Sequence, residues 1–310
     1  MKTACDKQTL LVALGGNALV RPGQQGTAAE QFANLARPMA QLAELVRTWR
    51  LIITHGNGPQ VGNLLLQQEC SPGVPAMPLE ILVAQTQGQI GYMIESTLDT
   101  ALDAIGLKKQ LVSLISYVVV DEHDPAFTTP TKPIGPVYTA EQAASLPWPT
   151  VSTPKGFRRV VASPRPVSVV EKEEIRQLLA LDFVVICCGG GGIPVIREGR
   201  AFHGVDAVID KDLASACLAA EVRVDSMVIA TDVPGVALGF GSASHRFLSS
   251  LTVAEARRLL AAGEFPEGSM GPKVEAAAVF IGNGGQRAVI CHLDEIAQAM
   301  AGNAGTEIRA

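Results

Sequence analysis

The residues best equipped for chemistry here are isolated lysines in short, distinctive motifs. Lysine supplies only nine of the 25 basic residues, and three of the nine stand out: Lys132, Lys211 and Lys273. Lys211 lies in Ile209-Asp210-Lys211-Asp212, at the opening of a small-residue helical pattern. One reading is a solvated helix start, with the acids near the positive end of the dipole. The other has Lys211 facing a transferring phosphoryl group while an aspartate orients it or holds a metal. Lys273 follows Gly271-Pro272 and opens another helix. Its ammonium and that helix N-terminus can address one phosphate together. Lys132 is mounted in Pro130-Thr131-Lys132-Pro133-Ile134-Gly135-Pro136. A surface lysine is the common case, but so stiff a mount suggests positioning.

Four glycine-rich loops accompany the lysines. Gly15-Gly16-Asn17 follows the apolar run 10–14, and His55-Gly56-Asn57-Gly58 follows 51–54. Glycines 189–192 follow 183–188, and Ser269-Met270-Gly271-Pro272-Lys273 precedes an alanine-rich helix. Glycine lets a backbone turn sharply and lets its N–H groups approach a ligand. Between a strand and a helix, those groups form an anion cradle. One such loop is a turn; four imply a ligand with more than one anionic group. Gly190 and Gly191 stand where open α/β sheets bind ligands, just past a buried strand. His55 is either a base or, as lone histidines more often are, structural.

The spacing Gly56-x-Gly58-x-x-x-Gly62 approximates a dinucleotide fingerprint, which makes a nicotinamide oxidoreductase a distant rival. No strand ends in an acidic residue about 20 positions on, as that fingerprint needs. There is no G-x-x-x-x-G-K-[ST] segment, no protein-kinase motif set and no G-x-S-x-G elbow. Anion loops and lysines without an obvious base suit a reaction whose nucleophile is already an anion. Phosphoryl transfer onto a carboxylate-type oxygen is one, catalysed by positioning and charge neutralisation.

Strand-like runs at 9–14, 51–54, 110–120, 183–188, 226–231 and 287–291 must position these motifs. Helical patterns separate them at 28–49, 79–105, 172–181, 207–220, 252–262 and 272–281. Pro38 is expected to kink or split the first helix, and Thr252 with Glu255 makes a capping box. The alternation predicts an α/β fold, a mostly parallel sheet covered on both faces. Residues 121–166 break the rhythm with nine prolines, Pro154 among them, and read as an excursion: a small lid with hairpins.

Composition sets outer bounds. The 310 residues are 47% hydrophobic, carry 30 glycines and have a net charge of −5, with no dense basic run. That argues against nucleic-acid partners. The six cysteines show no Cys-x-x-Cys spacing; adjacent Cys187 and Cys188 should point to opposite faces of a strand, as buried thiols of a reducing cytosol. Lys2 and Lys7 before the apolar run 10–20 mimic a signal peptide, but Gly15, Gly16 and Asn17 interrupt it and no cleavage site follows. No run approaches the roughly 18 apolar residues of a membrane span. The expectation is a cytoplasmic protein without membrane contact.

These residues together resemble carbamate kinases, within the amino acid kinase superfamily. The resemblance rests on Leu14-Gly15-Gly16-Asn17-Ala18, on the string 55–63 with Leu64-Leu65-Leu66-Gln67-Gln68, and on the loop 130–136. Segment 188–194, Ala207-Val208-Ile209-Asp210-Lys211-Asp212 and segment 268–273 complete it, in order across nearly the whole chain. It implies a three-layer α/β/α sandwich forming a homodimer. Residues 1–205 would form a carbamate or carbamoyl phosphate lobe, with 121–166 as the protruding subdomain, and residues 206–310 a nucleotide lobe. The implied reaction is reversible phosphoryl transfer between carbamoyl phosphate and ADP, giving ATP and carbamate, with Mg²⁺ held mainly by the nucleotide rather than by protein ligands. It would run toward ATP in a catabolic route such as arginine metabolism.

Carried over residue by residue, Lys132, Lys211, Asp212 and Lys273 are the catalytic set. Gly15, Gly16, Asn17, Gly56 and Asn57 hold the small substrate, together with Gly190 and Gly191. Lys211, Asp212, Thr231, Asp232, Met270, Gly271 and Lys273 meet the nucleotide. Two departures fall near the implied purine: Pro234-Gly235 replaces an acidic residue and an aromatic, and Gly271 replaces a larger apolar residue of some relatives. The Pro-Gly version is common in acetylglutamate kinases. Alternatives are therefore another small-acid kinase of that kind, or a non-catalytic carbamoyl phosphate or nucleotide sensor.

Overall fold

The first strand, β1 (Gln8–Leu14), is apolar from Leu10 onward, and the two sides of its pleat face two different cores. Leu10, Val12 and Leu14 belong to one cluster, Leu11 and Ala13 to the other. A strand buried on both faces needs a layer of helices on each. A computed structural model describes residues 7–71, 73–153, 156–242, 244–266 and 268–310; Lys2, Cys5 and Pro154 lie outside them.

After β1 come α1 (Ala28–Leu45), β2 (Trp49–His55), α2 (Gly58–Glu69), α3 (Leu79–Ala104), β3 (Leu111–Ser113) and β4 (Tyr117–Val120). Next are β5 (Lys132–Tyr138), α4 (Ala140–Ala144), β6 (Thr150–Thr153), β7 (Gly156–Val161) and β8 (Pro166–Val169). Then follow α5 (Lys172–Ala180), β9 (Val184–Ile186), β10 (Ile193–Glu198), β11 (Ala201–Gly204), α6 (Lys211–Val222) and β12 (Ser226–Thr231). The chain closes with β13 (Ala237–Leu238), β14 (Arg246–Phe247), β15 (Ser250–Thr252), α7 (Val253–Ala261), α8 (Met270–Gly282), β16 (Arg287–His292), α9 (Ile296–Met300) and β17 (Thr306–Arg309).

The central sheet has eight strands in the order β15-β17-β16-β12-β1-β2-β9-β3. All neighbours run parallel except β16 and β17. On one face, Leu35 and Leu42 of α1, Ile90 and Ile94 of α3, and Ile296 of α9 pack on the sheet. On the other lie Ile175 of α5, Leu218 of α6, Ala256 of α7 and Phe280 of α8. This is the expected three-layer sandwich. Thr252 and Glu255 form the expected capping box at α7, and Thr27 with Glu30 forms another at α1.

Three expectations need correction. Helix α1 is not split: it runs continuously through buried Pro38 and stops at Leu45, because Trp49 already belongs to β2. The apolar run 110–120 is two strands in different sheets, β3 in the main one and β4 in a four-stranded sheet of order β11-β10-β4-β8. The switch is braced by Gln87 of α3. Its carboxamide accepts from the Ser116 N–H (2.8 Å) and donates to the Ser116 carbonyl (3.2 Å), which also accepts from the Ile193 N–H of the second sheet (2.9 Å), so the chain has changed sheets at this residue. Cys187 and Cys188 do not face opposite sides: strand β9 ends at Ile186, Cys188 is left-handed (φ 50°), and both thiols enter one core.

Within 121–166, β5, β7 and β6 form a separate antiparallel sheet in that order. The proline-rich excursion is thus a hairpin-built unit. Among the described residues, no helix is long and apolar enough to cross a membrane.

Candidate active site

Strands β1, β2 and β12 run parallel and in register, so their C-terminal ends release three loops at one edge. Gly15 follows β1, Gly56 follows β2 and Asp232 follows β12. The Gly15 N–H donates to the Ala230 carbonyl (2.9 Å), and the Gly56 N–H donates to the Leu14 carbonyl (3.0 Å). The loops are stitched together before any side chain acts. A Cβ on Gly56 would lie 3.3 Å from the Gly16 nitrogen, so glycine permits this close approach.

A cavity of about 450 Å³ opens at this edge. Gly15, Gly16, Asn17, Lys211, Thr231, Asp232, Met270 and Lys273 line it, all from the expected set. Val233, Ala237, Phe240, Phe265 and Pro266 add apolar wall to it.

Two helices aim their N-termini at this edge. Asp210 caps α6 by accepting from the Asp212 N–H (2.9 Å) and the Leu213 N–H (3.4 Å). That cap is why the helix starts at Lys211 rather than at 207. Lys273 lies in the opening turns of α8. The two ammonium groups converge on one carboxylate: Lys273 Nζ is 3.0 Å from Asp212 Oδ2, and Lys211 Nζ bonds Asp212 Oδ1. Burial raises the Asp212 carboxyl, but the two lysines overcome it and hold the acid at about 2. Burial lowers the Lys211 ammonium; Lys273 is raised, since Asp212, Asp210 and Asp232 together outweigh its own burial.

Lys132 arrives from the excursion on β5 and bonds Asp210 Oδ2 at 2.9 Å, while Asp210 Oδ1 serves the helix cap. One aspartate therefore links the excursion to the first turn of α6. Asn17 Nδ2 donates to Asp232 Oδ2 (2.7 Å), joining the β1 and β12 loops.

Other expected residues sit behind the cavity wall. Asp212 is buried beneath the two lysines. Asn57 is buried, donating to Thr86 Oγ1 at 2.9 Å. Gly190 and Gly191 are buried with positive φ, 67° and 94°; Cβ atoms there would strike the Asn57 amide and the Ile209 carbonyl. Their glycines serve close packing between loops and do not line the cavity. Gly271 is likewise turned from the cavity, against the Pro266 carbonyl.

His55 is buried, and burial holds its imidazole at about 4, with the Lys211 charge adding to the effect. Its Nδ1 lies 3.1 Å from the Gly56 carbonyl, so the neutral ring carries its proton there. The structural reading of this histidine is the one the geometry favours. Sequence reasoning missed Pro59, Phe240 and Phe265 on the cavity wall, and the supporting Thr54, Thr86, Gln87 and Ser215. Thr54, directly before the His55-Gly56 loop, and Pro59, inside the string 55–63, had a local signal.

The amino acid kinase family model matches residues 8–292. A carbamate kinase of Pyrococcus horikoshii is 44% identical over 310 residues, covering 97% of this chain and 99% of the relative. The chain belongs to the carbamate kinase family. A Pyrococcus furiosus carbamate kinase is 45% identical over 308 residues, covering 96% and 98%. The structure of a Giardia lamblia carbamate kinase bound to AMP-PNP superposes with a TM-score of 0.91 at 37% identity, covering 99% of each chain. Membership in the carbamate kinase family makes this chain a kinase, a phosphotransferase acting on small molecules.

Proposed function

We propose that the chain transfers a phosphoryl group reversibly between carbamoyl phosphate and ADP, giving ATP and carbamate, which breaks down to ammonia and bicarbonate. The observation that carries this reading is the convergence of Lys211 and Lys273 on one point beside the cavity. In the ATP-forming direction, a terminal oxygen of ADP attacks phosphorus as the bond to the carbamate oxygen breaks. The nucleophile is already an anion, so no general base is required, and His55, neutral with its Nδ1 proton donated to the Gly56 carbonyl, supplies none. Lys211 and Lys273 neutralise charge on the transferring group, and Asp212 keeps both ammoniums aimed there.

Residues 206–310 would hold the nucleotide, with phosphates at the α8 N-terminus and the base toward Phe240 and Phe265. Residues 1–205 would hold the carbamoyl end at the Gly15–Gly16–Asn17 loop, with Lys132 reaching over it. Mg²⁺ would be carried by the nucleotide phosphates, where it supplies further charge neutralisation. Asp232 is the carboxylate on the cavity wall that fits a cation needing one protein oxygen among phosphates and waters. Among the described residues, no group of three or more His, Cys, Asp or Glu could hold a metal ion. Free, buried Cys187, Cys188 and Cys291 favour a reducing cytoplasm, where the ATP-forming direction would serve a catabolic route such as arginine breakdown.

The test is ATP formation from ADP, Mg²⁺ and carbamoyl phosphate by the purified protein and its Lys211→Ala variant. Loss of one preorganised charge should cost about 10²–10³ in turnover, roughly 3–4 kcal/mol. A folded Lys211→Ala protein with near-normal turnover would refute the assignment.

A further inference from the structure

A buried chain of hydroxyl groups, outside the cavity, ends on the backbone of Lys211. Thr54 of β2 and Ser215 of α6 are both fully buried. Their hydroxyl oxygens lie 2.7 Å apart, and Ser215 Oγ is 2.6 Å from the Lys211 carbonyl oxygen. A carbonyl can only accept, so the single Ser215 proton goes to Lys211 and Thr54 must donate to Ser215. The direction of the chain is thereby fixed.

A serine bonding back to the carbonyl four residues earlier is ordinary helix behaviour. The second link is not, because it ties the helix to a residue 161 positions away in sequence. Thr54 also stands directly before the His55-Gly56 loop, and a Cβ on Gly56 would lie 3.6 Å from Lys211 Cδ. The hydroxyl pair therefore pins the first turn of α6 to the strand whose loop runs close to the Lys211 side chain.

We propose that Thr54 and Ser215 are positioning residues for phosphoryl transfer, locking the backbone of Lys211 so that its ammonium is held on the transferring group. The inference rests on the assignment of Lys211 made above. Thr54→Val is the clean probe. It keeps the shape and removes the hydroxyl, while Ser215 can still donate to Lys211, so no buried donor is orphaned. Thr54→Ser restores the hydroxyl alone.

Steady-state ATP formation is measured for the wild type, Thr54→Val, Thr54→Ser, Ser215→Ala and Lys211→Ala, each checked by thermal melting. A small displacement of a positioned group is expected to lower kcat of Thr54→Val on the order of tenfold, with KM for both substrates within about twofold. Thr54→Ser should stay near wild type. If Thr54→Val does not fold, Ser215→Ala must show the same split between kcat and KM. Wild-type kcat in Thr54→Val beside an inactive Lys211→Ala overturns the positioning role alone, as does a Thr54→Ser as impaired as Thr54→Val. Turnover retained in Lys211→Ala overturns the site assignment and the positioning role with it.

Discussion

At the scale of single residues, what a group does is set by what burial leaves it to bond. Asp212 is kept ionised by two ammoniums, while His55, with one carbonyl partner, is kept neutral. The histidine has a consequence for stability. Its folded pKa of about 4 lies below the ordinary value of 6.5. Between those values the unfolded chain takes up a proton that the folded chain refuses. The contribution is complete above about pH 6.5 and is lost as pH falls toward 4, at up to about 1.4 kcal/mol per unit. His55→Asn keeps a donor for the Gly56 carbonyl without a titrating ring. Urea unfolding between pH 6.5 and 4.5 should show wild type losing on the order of 2 kcal/mol more than the variant. Parallel losses would mean that His55 does not resist protonation.

Between elements, Asp210 has two separable jobs. Its Oδ1 caps α6, and its Oδ2 holds Lys132 from the excursion. Asparagine can keep the cap but not the charge, whereas alanine keeps neither. Asp210→Ala should therefore be less stable than Asp210→Asn by about 1 kcal/mol in denaturant unfolding, the usual worth of a cap. Equal stability would show that the cap is supplied by something other than this side chain. The positions of β12 and α7 were readable from apolar runs and caps because those signals are local. The break between β3 and β4 was not, since Ser113 and Ser116 look alike in a mostly apolar stretch and Gln87, which bonds Ser116, lies on another element, 29 positions away.

For the molecule as a whole, the central sheet ends in β3, a short strand that pairs on one side only among the described residues. Tyr92 of α3, 64% exposed, stands beside it, in a cleft also lined by Leu111 and Ser113, with 53% exposed Ile115 just beyond the strand. An edge strand flanked by large apolar side chains favours pairing with another copy, in keeping with the homodimer implied by the resemblance to carbamate kinases. Sedimentation equilibrium should give twice the monomer mass of 32.5 kDa, and Tyr92→Glu should shift it toward one. A wild type sedimenting as a monomer would rule out this assembly.

The sequence by itself determined the main sheet strands β1, β2, β9, β12 and β16 and the long helices that alternate with them, where glycine turns and lysines recur, and that those motifs follow the order seen in carbamate kinases. Such properties are local, carried by periodicity, caps and residue type. Tertiary structure decided which of those residues meet. Lys273 and Asp212 are 61 positions apart, Lys132 and Asp210 are 78, and Thr54 and Ser215 are 161. It also decided that Gly190 and Gly191 face the packed interior, whereas Gly15 and Gly16 face the cavity. A glycine-rich string looks the same in sequence whether its open side meets a ligand or a neighbouring loop; only the parallel register of β1, β2 and β12 fixes which side is left open.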